Sequence, residues 1–128
     1  MRKTARAVLN ALDCPDSELS ILIVDDQQIE KLNIQYLGRK GPTNVIAFPI
    51  QDGKFPNITP RLLGDIVVSA ETAYNESKAA GIRMELRLDQ LLVHGILHLL
   101  GYDHEGSPKD ARRMEEKSNE LLGLLEKF

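Results

Sequence analysis

The stretch Leu91-Leu92-Val93-His94-Gly95-Ile96-Leu97-His98-Leu99-Leu100-Gly101-Tyr102-Asp103-His104 decides how the rest of the chain is read. Residues 83–100 are the most apolar helical segment of the sequence, stopped by Gly101. All three histidines of the chain fall between positions 94 and 104. His94 and His98 stand four apart. Four residues turn a helix by about 400°, so both rings leave one face, about 6 Å apart in rise. Gly101 permits a left-handed helix end that other residues avoid. The chain can then double back and bring His104 to the same point. Three protein nitrogens with a fourth position open describe a catalytic zinc site rather than a closed structural one. Imidazole also suits nickel, copper or iron, so the ligands imply one divalent ion without fixing its identity.

The pattern His-x-x-x-His-x-x-Gly-x-x-His resembles the long zinc-binding motif of metzincin peptidases, with one absence. Those enzymes carry glutamate directly after the first histidine, as general base. Here that position is Gly95, which takes no proton. A metal would still lower the pKa of bound water toward about 7, but a base must come from elsewhere. Asp103 and Glu105 flank His104 and are nearest in sequence. For Asp103, orienting a ligand histidine or making a turn is the stronger reading.

Outward from this segment the chain alternates in character. Residues 2–12 read as a short amphipathic helix with Ala7, Val8, Ala11 and Leu12 on one side. Residues 19–24 form an apolar, β-branched strand. Asp25 or Asp26 caps a helix over 28–36, with Ile29, Leu32 and Leu37 facing inward. Residues 38–42 form a loop, and 45–48 a second strand stopped by Pro49. The segment 51–60 holds Gly53, Pro56, Asn57 and Pro60 and reads as an irregular loop on the rim of the site. Residues 64–69 are a third strand. Ser69 or Glu71 opens a helix that runs to Ala80 and closes at Gly81. A turn over 102–108 leads to a charged terminal helix over 109–126. The order α-β-α-β-β-α-α-α predicts a small α+β domain over residues 1–128: a short mixed sheet covered by helices, with the metal site on a central helix.

Composition agrees. A length of 128 residues suits one domain. A net charge of -3 does not advertise nucleic-acid binding, although one basic face can sit on an acidic protein. One cysteine, Cys14, rules out an intrachain disulfide and fits a cytoplasmic setting. No apolar run reaches the roughly 20 residues of a membrane span.

The histidine segment closely resembles the signature of the YbeY family of bacterial ribosomal-RNA maturation endoribonucleases. Two further segments agree in order and spacing. Pro42-Thr43-Asn44-Val45-Ile46-Ala47-Phe48-Pro49 looks like that family's Thr-(Asp/Asn)-Val-Leu-Ser-Phe-Pro strand, and Leu63-Gly64-Asp65-Ile66-Val67-Val68-Ser69 looks like its Gly-Asp-Ile strand. The resemblance implies a zinc-dependent endoribonuclease specific for single strands. It would act in 3′-end maturation of the small-subunit ribosomal RNA and in ribosome quality control. It also implies the ribosome or its proteins as partners and a cytoplasmic location.

Two departures stand out. The family usually has an arginine directly after a tyrosine ahead of the Thr-Asn strand. Here Tyr36 is followed by Leu37, and Arg39 comes two positions later. Arg39 is the candidate cation for a phosphate in the transition state, against an ordinary solvated turn. The chain also opens near a helix, where family members commonly begin with a strand.

Other candidates are weaker. Thr43 and Asn44 can hydrogen-bond a substrate backbone beside their strand, and an exposed strand edge could accept an extended peptide instead. Asp65 reads slightly better as a turn or cap residue than as a site residue. Lys109, Arg112, Arg113 and Lys117 form a stripe that could contact phosphates but reads better as a solvated helix face. A hydrolase on another substrate, such as peptides, and a non-catalytic metal-stabilised binding module are the alternative functions. Oligomeric state is open.

Overall fold

The computed structural model describes residues 2–14, 16–49, 62–102 and 107–126. The predicted order holds throughout: α1 (Arg2–Ala11), β1 (Glu18–Val24), α2 (Asp26–Leu37), β2 (Val45–Pro49), β3 (Leu62–Ser69), α3 (Ala70–Ala80), α4 (Met84–Leu99) and α5 (Pro108–Leu125). The expected loop at 51–60 lies outside the described residues.

The sheet is mixed, in the order β1-β3-β2. The central β3 runs parallel to β1 and antiparallel to β2. Its run Ile66-Val67-Val68 is buried on both sides, which explains why it reads as continuously apolar rather than alternating. Ile66 and Val68 face the larger core with Leu92, Val93, Ile96 and Leu97 of α4. Val67 faces a smaller core with Val24, Ile29 and Ile46, under α2.

Helix α4 is apolar on most sides because it is covered on most sides. It packs against β2, β3, α1, α3 and α5. Two glycines allow its close approach. A Cβ on Gly95 would stand 3.1 to 3.3 Å from the Ile66 side chain. At Gly64 a side chain would collide with the carbonyl oxygen of Phe48 and a methyl of Leu99.

Helix ends settle the choices left open by sequence. Asp25, not Asp26, caps α2: its carboxylate accepts from the Gln28 N–H at 2.8 Å, and Gln28 Oε1 accepts from the Asp25 N–H at 3.3 Å. Ser69 caps α3, and Gly81 ends it with φ 69°. Asp26 has a different task. Its Oδ1 accepts from the hydroxyls of Ser69 and Thr72, which ties the start of α2 to the start of α3. Those two bonds, Ser69 first, hold its carboxyl below the ordinary value of 3.8.

One inward assignment is corrected. Leu37 is 47% exposed, whereas Ile29 is fully buried and Leu32 half-buried. Leu37 is the last residue of α2, where Gly38 turns the chain out with φ 65°. It is not among the side chains packed with Ile29 in the smaller core, and lines a groove instead. In α1, Ala11 is likewise exposed, and Ala5, Val8 and Leu9 carry the buried face.

Candidate metal centre and its groove

The i, i+4 prediction is met by geometry. The Nε2 atoms of His94 and His98 lie 3.0 Å apart, with ring planes crossing at 76°. Two nitrogens bonded to one ion at about 2.05 Å and 3.0 Å apart subtend roughly 95°. Opening to a tetrahedral angle needs only about 0.3 Å of movement. The spacing is also a hydrogen-bond length, and which applies depends on the tautomers. With both protons on Nδ1, the two Nε2 lone pairs point where one ion could accept both. The pair therefore fits a divalent transition metal. His104, the expected third ligand, and its neighbours Asp103 and Glu105 lie outside the described residues. The turn that leads there is described as far as Tyr102, with Gly101 at φ 97°.

Both rings line a groove of about 410 Å³. Its other walls come from β2 and from the segment after α2. Thr43, Asn44, Val45, Ile46, Ala47 and Pro49 contribute from β2 and the residues before it, and Leu37 and Arg39 from the end of α2 and beyond. The structure thus brings the His94–His98 pair together with Arg39 and with Thr43 and Asn44, which sequence reasoning selected on other grounds. The alternation of β2 explains the division of labour. Phe48 packs only in the smaller core, Ile46 is buried there and also borders the groove, and Val45, Ala47 and Pro49 complete this wall.

The Arg39 segment is pinned by Asn33, a buried residue of α2. Its Nδ2 donates to the Gly41 carbonyl at 3.0 Å, and its own carbonyl accepts from the Arg39 N–H at 3.2 Å. This fixes the loop between Gly38 and Gly41 at the groove. A mid-helix asparagine carries no sequence signal for such a role.

Gly95 also lines the groove, but its α-carbon rests on Ile66. A glutamate there, as in the peptidases, would have its first carbon pressed into the core. Asp65 is exposed, opposite Phe48 and Ser20 in the sheet register. Lys109, Arg112 and Arg113 are exposed on α5, and Lys117 pairs with Glu120 at 3.3 Å. A second, larger groove of about 940 Å³ lies between α1 and α5. It holds no histidine, and its Asp89 accepts from the Thr4 hydroxyl at 3.0 Å.

The family model described as Endoribonuclease YbeY matches residues 1–126. The chain belongs to the YbeY family. Relatives named Endoribonuclease YbeY agree along nearly its whole length. That of Syntrophotalea carbinolica is 49% identical over 98% of this chain and 84% of its own. That of Geobacter sulfurreducens is 50% identical over 98% of this chain and 85% of its own. Among solved structures, TM1509 from Thermotoga maritima, determined in solution, superposes with a TM-score of 0.66 at 26% identity. It covers 94% of this chain and 75% of that one. The YbeY family therefore accounts for the α+β fold and for the order of the three motif segments.

Proposed function

We propose that this chain is a metal-dependent endoribonuclease that cuts single-stranded RNA. The observation that carries this reading is the shared groove: a histidine pair with metal-ligand spacing faces Arg39, Thr43 and Asn44 across one cleft. The relatives' name, Endoribonuclease YbeY, supports the substrate class.

His94, His98 and His104 would hold one ion, with zinc the best match to three imidazoles and an open position. When bound, it would supply Lewis acidity toward a phosphoryl oxygen and lower the pKa of water. The remaining chemistry belongs to the chain. Arg39 lines the groove, where its guanidinium would balance charge building on the phosphate oxygens. Thr43 and Asn44 hold the strand along β2. The ribose 2′-hydroxyl and water are both available as nucleophile in this arrangement. By family resemblance the substrate is ribosomal RNA. The biological task is then maturation of the small-subunit 3′ end and ribosome quality control, in the cytoplasm and in contact with the ribosome.

The peptidase alternative is disfavoured by the contact between Gly95 and Ile66, which leaves no place for the usual base. The test of the nuclease reading is direct. Purified protein is incubated with single-stranded ribosomal RNA, with and without chelator, beside the His98→Ala variant. Metal-dependent cleavage that the variant loses is expected. Chelator-resistant cleavage, or full cleavage by the variant, would overturn the proposal.

A further inference from the structure

Asn44 stands at the head of β2 and lines the groove beside the histidines. Its backbone carbonyl accepts from the Ser69 N–H at 2.9 Å, which ties it to the end of β3. Its side chain is tied separately. Nδ2 lies 3.3 Å from each carboxylate oxygen of Glu76, on α3. Glu76 is gripped in turn by Arg87 of α4. Nε and Nη2 of Arg87 donate to Glu76 Oε1 at 3.1 and 3.0 Å. The remaining Nη1 donates to Gln90 Oε1 at 2.8 Å. Helix α3 therefore holds the amide directly, and α4 holds it through Glu76.

The chemistry of the clamp fixes which way that amide points. A carboxylate paired with a guanidinium only accepts. Asn44 must turn its NH2 group to Glu76, because the opposite flip would set oxygen lone pairs against each other. The atom left over is the acceptor Oδ1, and no donor among the described residues reaches it. A phosphate oxygen has no proton to offer, so Oδ1 cannot be a phosphate contact. It matches an O–H or N–H donor on the substrate.

We infer that Asn44 Oδ1, oriented by the Glu76–Arg87 clamp, accepts a hydrogen bond from a ribose 2′-hydroxyl and so distinguishes RNA from DNA. Ribose is preferred over base edges because every nucleotide carries one, whereas base donors change with sequence. Asn44 is the reading group, and Glu76 and Arg87 are positioning residues. This inference rests on the reading that single-stranded RNA occupies the groove.

The test uses the intact, metal-loaded protein and short labelled single strands: RNA, the same sequence in DNA, and RNAs with one 2′-deoxy position moved along the strand. Affinity is read by fluorescence anisotropy in the cold, before cleavage proceeds. One 2′-deoxy position is expected to weaken wild-type binding roughly fivefold to tenfold. Asn44→Ala removes that penalty, Glu76→Ala reduces it by releasing the amide from its fixed orientation, and Glu76→Ala adds nothing in the Asn44→Ala background. The pair Asn44→Asp with Glu76→Gln restores the penalty, because the glutamine amide can donate to one aspartate oxygen and leave the other facing the groove. Melting curves by circular dichroism establish that each variant is folded. A wild type that binds RNA and DNA alike overturns the inference. So does a penalty that survives in Asn44→Ala, or a preference that follows base identity alone. Cleavage is scored separately. Discrimination without cleavage contradicts only the nuclease reading, and cleavage without discrimination contradicts only the role of Asn44.

Discussion

Gly95 of α4 sits directly on Ile66 of β3, so that a Cβ at position 95 would stand 3.1 Å from Ile66 Cγ2 and 3.2 Å from its Cδ1. Ile66 is fully buried, so it can give way only by displacing its own core neighbours. Alanine is preferred over glycine in a helix by about 1 kcal/mol, but overpacking typically costs 1 to 3 kcal/mol. Gly95→Ala is therefore expected to lower stability by about 1 kcal/mol, read as a lower urea midpoint. Ile66→Val should reduce that cost when the two are combined. A stabilised Gly95→Ala protein would show that the helix and the sheet are less tightly pressed than described. Gly95→Glu should cost roughly 3 kcal/mol or more, because a carboxylate would be driven toward the core.

Asp26 sets an acid limit on the fold. Hydrogen bonds from Ser69 and Thr72 hold its carboxyl below the ordinary value of 3.8. A depressed folded-state pKa contributes stability that is complete above the unfolded value and fades as pH falls through the folded one. Stability should therefore be insensitive to this group at neutral pH and decline below about pH 4. Asp26→Ala should cost about 2 kcal/mol at neutral pH, because the Ser69 hydroxyl is left buried without its acceptor. The variant should also lose part of the acid dependence. Identical pH profiles for variant and wild type, followed by chemical denaturation, would remove Asp26 from this role.

Arg39 and Leu37 line the same groove, on either side of the Gly38 turn. Arg39→Ala is expected to lower kcat on single-stranded RNA by about 10- to 100-fold, with a smaller change in KM. Leu37→Arg, added to Arg39→Ala, should recover part of the loss, since an arginine there borders the same cleft. Normal turnover by Arg39→Ala would show that another group meets the phosphate charge.

Much of this architecture is legible in residue order. Runs such as Ile66-Val67-Val68 and the apolar span that ends at Gly101 identify strand and helix by local pattern alone. The histidine pair follows from helical geometry, and so does its common face. What sequence does not carry is contact across distance. Glu76 lies 32 residues from Asn44 and 11 from Arg87, and nothing local marks the three as a unit. Asn33 resembles any helix-surface asparagine until its bond to Gly41 is seen. Leu37 fits the inward pattern of α2 yet stays exposed at its C-terminal end, outside the core around Ile29. The reason for Gly95 is also tertiary. The sequence shows only that a base is missing, and the packing on Ile66 explains why none fits.

The central claim is that RNA cleavage depends on one divalent ion at the histidine pair, whose Nε2 atoms lie 3.0 Å apart. Its most direct test is a titration of metal-free protein with zinc, followed by the initial rate of cleavage of a labelled single-stranded RNA. The rate should rise linearly and level off at one equivalent of zinc per chain, and His98→Ala should stay inactive throughout. A metal-free protein that already cleaves at full rate, or a His98→Ala variant that is activated as the wild type is, would contradict the account.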